Sequence, residues 1–196
     1  MTVADPNELS RDAWNKKEYR PVAVAIIADP KGRVLLVESA KKGHDWSFPQ
    51  GGIDENESVE DALFREIKEE VGIDRVNLVL HRYLGAEDLD APSKRIDKRG
   101  FTKGKRYFFF DLSWNGHGAL KINREEIGNY AWLQLADIPG FFSSLRAEKK
   151  RLLFSFLARV AVKKAFGEPV ATMSDKSSLD ELRSGLPMSM SDYEKK

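Results

Sequence analysis

Cysteine is absent from this 196-residue sequence, which excludes disulfides, thiolate metal sites and a cysteine nucleophile together. Histidine is scarce: His44, His81 and His117 are isolated, show no metal-ligand spacing and suit structural or surface roles. A charge excess of one sign is lacking too. With 32 Lys+Arg against 31 Asp+Glu the net charge is +1, so any attraction to nucleic acid or an anionic membrane must come from a local patch. Long hydrophobic runs are missing, since the longest, Val22 to Ala28, is far too short to span a bilayer. The start, Met1 to Trp14, is polar and acidic without an apolar h-region, unlike a secretory signal. The expectation is a cytoplasmic protein with no membrane partner. What is present, 41% apolar and 32% charged residues, suffices for one ordinary domain with a real core plus extensions.

Along the chain, residues 1–18 form an N-terminal extension with a short polar helix from Asn7 to Lys17. Pro21 to Ala28 is a run of small and β-branched residues suited to a buried strand, and Arg33 to Glu38 follows after an Asp-Pro-Lys-Gly turn. Ser58 to Val71 has a helical period, with Val59, Leu63 and Ile67 at four-residue steps and Gly72 at the stop. Val76–Leu84, Lys105–Leu112 and Tyr130–Leu133 read as strands, with a polar, basic loop from Gly85 to Gly104. Asp137-Ile138-Pro139-Gly140 reads as a strand terminator, and Ser144 to Phe166 as a second amphipathic helix. Its apolar face carries Leu145, Leu152, Phe156 and Val160, joined by Leu153, Leu157 and Ala161. From Gly167 to Lys196 the chain is aperiodic and reads as a mobile tail. The main domain is 19–166, of α/β or α+β class.

The chemically informative stretch is Gly51 to Ile73. Glu66, Glu69 and Glu70 are spaced i, i+3, i+4, so on a helix they project from one face, apart from the core face of Val59, Leu63 and Ile67. Neither Glu69 nor Glu70 is expected in the core. Three adjacent like charges repel, which makes sense if a hard divalent cation sits among their oxygens. Glu57, near the helix start, also meets the positive end of the helix dipole. Taken alone, such a charge run is more often a solvated helix face, with Arg65 and Lys68 as neutralisers.

The complete spacing reverses that preference. Gly51, five residues, Glu57, seven residues, Arg65-Glu66-Ile67, one residue, Glu69-Glu70, one residue, Gly72-Ile73 resembles the full Nudix box. Such a match arises by chance on the order of 10⁻⁸ per start position. The resemblance extends over roughly residues 19 to 166 and implies the Nudix fold, a mixed β-sheet sandwiched between α-helices. It implies that Glu66, Glu69 and Glu70 bind metal, that Glu57 and Arg65 hold the loop against the helix, and that a carbonyl near Gln50 or Gly51 adds a ligand. The expected cofactor is Mg²⁺, with Mn²⁺ as substitute.

The flanks resemble the branch of RNA pyrophosphohydrolases and dinucleoside polyphosphate hydrolases. Tyr19-Arg20-Pro21 and Trp46-Ser47-Phe48-Pro49-Gln50-Gly51-Gly52 carry that likeness, as does the basic-aromatic Lys105-Arg106-Tyr107-Phe108. Glu126-Ile127-Gly128-Asn129-Tyr130-Ala131-Trp132 resembles the branch's Glu-Phe-Asp-Gly-Trp-x-Trp segment, which implies Glu126 as a further metal ligand or the base. Tyr130 in place of tryptophan, Gly128 in place of aspartate and a longer, more basic Glu87–Lys103 loop depart from the pattern and bear on substrate choice. Residues 94 to 106 place Lys94, Arg95, Lys98, Arg99, Lys103, Lys105 and Arg106 against the single acid Asp97, and with Arg20 these suit phosphate. Tyr107, Phe108 or Tyr130 could stack on a base, though core packing is the commoner fate of the phenylalanine.

The implied reaction is attack of a metal-activated water on a phosphoanhydride, with Arg65 in the machinery and Glu69 or Glu126 as base. The implied partner is a nucleotide polyphosphate, either a dinucleoside polyphosphate or the 5′-triphosphate end of RNA. Nucleotide sugars or (d)NTPs are the alternative substrates, and a non-catalytic nucleotide-binding module is the rival class. Oligomeric state is not readable.

Overall fold

Strand β1, Tyr19–Ala28, is buried on both sides, and its alternation splits the core in two. Ala23, Ala25 and Ile27 face one apolar cluster, while Val22, Val24 and Ile26 face another. Strand β2 (Val34–Ser39) repeats the division, with Leu35 and Val37 on the first side and Val34 and Leu36 on the second. A sheet covered on both faces has no polar side, which is why these strands read as continuous apolar runs.

The computed structural model describes residues 4–41, 43, 45–91 and 96–166, with side chains as far as Ala161. His44, Lys94, Arg95 and the expected tail from Gly167 lie outside the described residues. Contacts divide the chain after Ala161, with Thr2–Ala161 as one unit.

The sheet runs β3-β2-β1-β6-β5, with β3 at Trp46–Ser47, β5 at Leu78–Asp90 and β6 at Gly104–Trp114. Short β4 (Gln50–Gly52) pairs with β1, and β7 (Ile127–Leu133) pairs with β2. The β1–β6 pair is parallel, from Tyr19 opposite Gly104 to Ala28 opposite Ser113, and the remaining pairs are antiparallel. Helix α1 spans Pro6–Lys16. Helix α2 (Val59–Val71) covers the first face through Val59, Ala62, Leu63, Ile67 and Val71. The second face is covered by α4 (Ala147–Phe166), whose Leu152, Leu153, Phe156, Leu157 and Val160 are buried. Phe109 of the sheet stacks on Phe156 at 3.9 Å. The mixed sheet between helices agrees with the expected α+β Nudix fold.

Two expectations are corrected. The stretch Gly85–Asp90, read as loop, continues β5 in register with β6, Asp90 opposite Gly104. The helix read from Ser144 begins only at Ala147, as α4, and the stretch read as a strand terminator forms a single turn, α3 at Ile138–Phe141, with Pro139 in its first turn. No helix among the described residues is long and apolar enough to cross a membrane.

Candidate active site

Helix α2 begins where Ser58 caps it, the Ser58 hydroxyl accepting the Asp61 N–H at 3.0 Å, and stops at Gly72, whose left-handed φ of 71° suits glycine. The preceding loop is clamped to this helix by one side chain. Arg65 donates from Nε to Glu57 Oε1 (2.8 Å), and from Nη2 to Glu57 Oε2 (2.9 Å) and to the Gly52 carbonyl (2.9 Å). That two-pronged hold, with the Asp54 N–H also on Glu57, keeps the Glu57 carboxyl below the usual carboxylate range.

The carboxylates that follow differ sharply in environment. Glu66 lies across Gly51, so closely that a Cβ there would fall 1.8 Å from its carboxyl carbon; only glycine allows the approach. Burial raises the Glu66 pKa, with Glu69 and Glu126 adding to it and Arg65 opposing. Glu70 is buried, which corrects the expectation that it lies outside the core. It accepts the Gln50 N–H at 2.9 Å, yet burial, with repulsion from Glu66, Glu126 and Glu69, pushes its pKa up to about 8. Glu69 is exposed and meets Arg65 Nη1 at 3.2 Å, while the same nitrogen donates to Glu66 at 2.8 Å. Glu126 stands just before β7, and its carbonyl accepts the Ala40 N–H at 2.8 Å. Among the described residues these acids are not gathered into a closed ligand set, and a guanidinium nitrogen lies between Glu66 and Glu69.

The donor set nonetheless fits a hard divalent cation. It is all oxygen, it carries more negative charge than Arg65 balances, and burial drives two of its members toward neutrality. A bound cation would relieve all three conditions.

These acids line a cleft of about 1060 Å³, together with Gln50, Gly51, Arg65 and Glu126. Of the basic and aromatic residues expected at the substrate, Arg20, Arg99, Lys105 and Tyr107 line it, and Arg99 pairs with Asp54. Arg20 lies over Gly52, and its Nε is buried without a hydrogen-bond partner among the described residues. Tyr107 is only 6% exposed, and burial, with Asp45 adding to it, pushes its hydroxyl up to about 12. Strand alternation turns Arg106 away from the cleft, where both its Nε and Nη2 bind Asp88, at 2.7 and 2.8 Å. Lys103 pairs with Glu18 at 2.7 Å, and neither it nor Tyr130 is among the cleft's lining.

Sequence reading missed several lining residues. Asp45 pairs with Lys149 at 2.9 Å, and Arg146 donates to the Asp90 carbonyl at 3.0 Å. Arg99, by contrast, carried a signal as part of the basic run and was expected at phosphate. Arg146 and Lys149 carried none, because on the helical period they look like the solvated side of an amphipathic helix.

Comparisons with known proteins agree with this geometry. The NUDIX domain model matches residues 18–156. An RNA pyrophosphohydrolase of Campylobacter jejuni is 35% identical over 147 residues, 70% of this chain and 90% of that protein. One from Helicobacter pylori is 34% identical over 149 residues, 73% of this chain and 96% of its own. Among solved structures, the C. elegans Ap4A hydrolase aligns with a TM-score of 0.53 and 25% identity, covering 72% of this chain and 98% of that one. The E. coli dihydroneopterin triphosphate pyrophosphohydrolase, at a TM-score of 0.57 and 22% identity over 72% and 99% of the two chains, speaks to the fold alone. With a box complete in spacing, folded as loop, helix and loop beneath a carboxylate-lined cleft, this chain belongs to the Nudix hydrolase family.

Proposed function

We propose that this enzyme hydrolyses a phosphoanhydride bond in the 5′-triphosphate end of RNA, with Mg²⁺ as cofactor and Mn²⁺ as a substitute. The observation that carries the proposal is the cleft's division of charge. One side holds Glu66, Glu69, Glu70 and Glu126, and Arg20, Arg99 and Lys105 supply positive charge to the same space. A polyphosphate needs both: cations of the protein along its oxygens, and a cation among the acids where the bond breaks. RNA is favoured by the relatives named RNA pyrophosphohydrolase, 35% identical over 90% of their length. A dinucleoside polyphosphate is the second reading, favoured by the 25% identity to the Ap4A hydrolase structure.

In this proposal Glu66 and Glu70 would hold the cation, with Glu69, Glu126 and a carbonyl near Gly51 as further oxygen donors. Such a cation neutralises phosphate oxygens and acidifies an attacking water. Arg65 keeps the Gly52 loop seated against α2 through Glu57, so that Glu66 stays beside Gly51. The proton of the attacking water passes to Glu69 or to Glu126, both of which are exposed to the cleft's solvent. Arg20, Arg99 and Lys105 bind phosphates remote from the scissile bond, and Tyr107 forms wall rather than a stacking platform because its ring is buried.

The test is turnover of a panel with Mg²⁺: a 5′-triphosphate RNA oligomer, diadenosine tetraphosphate, a nucleotide sugar and a dNTP. The expected result is the highest kcat/KM on the RNA, with diadenosine tetraphosphate next. Binding without turnover across the panel would instead mean a recognition module.

A further inference from the structure

We infer that the N-terminal helix is a working part of the substrate site, holding the turn that carries Arg99 against the cleft, with Trp14 as the positioning residue. The inference rests on the phosphate-binding reading of Arg99 above. Helix α1 precedes the family match, which begins at residue 18, and so lies outside the shared domain. Yet it is attached to three separate pieces of the site. Near its start, Asn7 Oδ1 accepts the Val59 N–H at 2.9 Å and so satisfies an otherwise orphaned donor in the first turn of α2. Near its end, the Trp14 indole N–H donates to the Ile53 carbonyl at 3.2 Å, one residue before Asp54. At its exit, the carbonyls of Lys17 and Glu18 accept the N–H groups of Thr102 and Lys103, at 3.0 and 2.7 Å.

The third attachment lies at the foot of a tightly built turn. Asp97 Oδ1 accepts the N–H groups of Arg99 (2.8 Å) and Phe101 (2.9 Å), and the Asp97 N–H donates to the Phe101 carbonyl at 2.9 Å. The acid that broke the basic run is thus the turn's organiser. Phe101, 2% exposed, anchors that turn by setting its ring edge-on to Trp14, centroids 5.1 Å apart at 71°. Lys17 Nζ closes the cluster at 3.9 Å from the Trp14 ring and 5.0 Å from Phe101.

Trp14 therefore touches both sides of one ion pair. Its N–H holds the residue before Asp54, and its ring holds Phe101, whose turn delivers Arg99 to Asp54. Arg99 is itself exposed, between β5 and β6, where an unanchored guanidinium would lose rotamer and backbone freedom on binding phosphate. Anchoring it beforehand strengthens ground-state and transition-state binding alike, which acts on KM rather than kcat.

The test is steady-state kinetics of Trp14→Ala, Trp14→Phe, Arg99→Gln and the Trp14→Ala/Arg99→Gln double variant on a 5′-triphosphate RNA oligomer with Mg²⁺. Arg99→Gln and Trp14→Ala should each raise KM roughly 5- to 10-fold with kcat within about 2-fold of wild type. Adding Trp14→Ala to Arg99→Gln should change KM by less than about 2-fold, because the two act as a unit. Trp14→Phe keeps a ring against Phe101 and should recover most of the loss. Should Trp14→Ala fail to fold, Phe101→Leu, which keeps the pocket filled but removes the ring edge, must show the same pattern. Full additivity with Arg99→Gln, or a fall in kcat at unchanged KM, would overturn the role given to Trp14. An unchanged KM in Arg99→Gln alone would instead overturn the phosphate contact on which it rests.

Discussion

At the scale of single residues, Glu70 is where folding and function conflict. Burial in the folded protein pushes its carboxyl up to about 8, against an ordinary carboxylate value when unfolded. Between those two pH values the folded state holds a proton that the unfolded state has released, so the cation-free protein must lose stability as pH rises from about 4.5 to about 8. Melting in a chelator should therefore be lower at pH 8 than at pH 5.5, with Mg²⁺ recovering much of the difference. Glu70→Gln should flatten that dependence and melt higher than wild type at pH 8; equal slopes in variant and wild type would mean that Glu70 is not the group responsible. This burial was legible in principle. Glu70 follows Leu63 by seven residues and Ile67 by three, so it stands on the apolar stripe itself, though the i, i+3, i+4 spacing of the three acids suggests a common exposed face. Glu69, four residues after Arg65 and off the stripe, is exposed as its position implies.

At the scale of elements, helix α2 was legible because every local signal agreed: a serine cap, a four-residue apolar step and a glycine stop. Its core face makes Leu63, 1% exposed, a stability position. Leu63→Ala should cost about 2–5 kcal/mol in chemical denaturation, and a negligible cost would mean that the helix is turned differently. The far half of β5 was not legible, since Gly-Ala-Glu-Asp-Leu-Asp has neither an apolar run nor a clean alternation. Pairing with β6 makes it a strand, and its position at the sheet edge tolerates the acids. Arg106 was misread for the same reason: without β5 opposite, Asp88 could not be seen as its partner.

At the scale of the whole molecule, the site is assembled from segments far apart in the chain. The box supplies Glu66, Glu69 and Glu70, the entry to β7 supplies Glu126, and the β5–β6 connection supplies Arg99. The box is local and can be read directly. The cleft's other walls depend on the parallel pairing of β1 with β6, which no local pattern encodes. On the proposal that its basic residues bind phosphates remote from the scissile bond, rising salt should increase KM for triphosphate RNA much more than it lowers kcat. Exposed charges are screened over about 8–10 Å at moderate ionic strength. A KM that does not respond to salt would place the polyphosphate elsewhere.

The central claim is that the α2 carboxylates carry out hydrolysis, and it is tested most directly by kcat on 5′-triphosphate RNA at saturating Mg²⁺. Wild type should turn over, while Glu69→Gln and Glu70→Gln should each fall at least ~10²-fold although both remain folded. Folded variants that keep near wild-type kcat would contradict it.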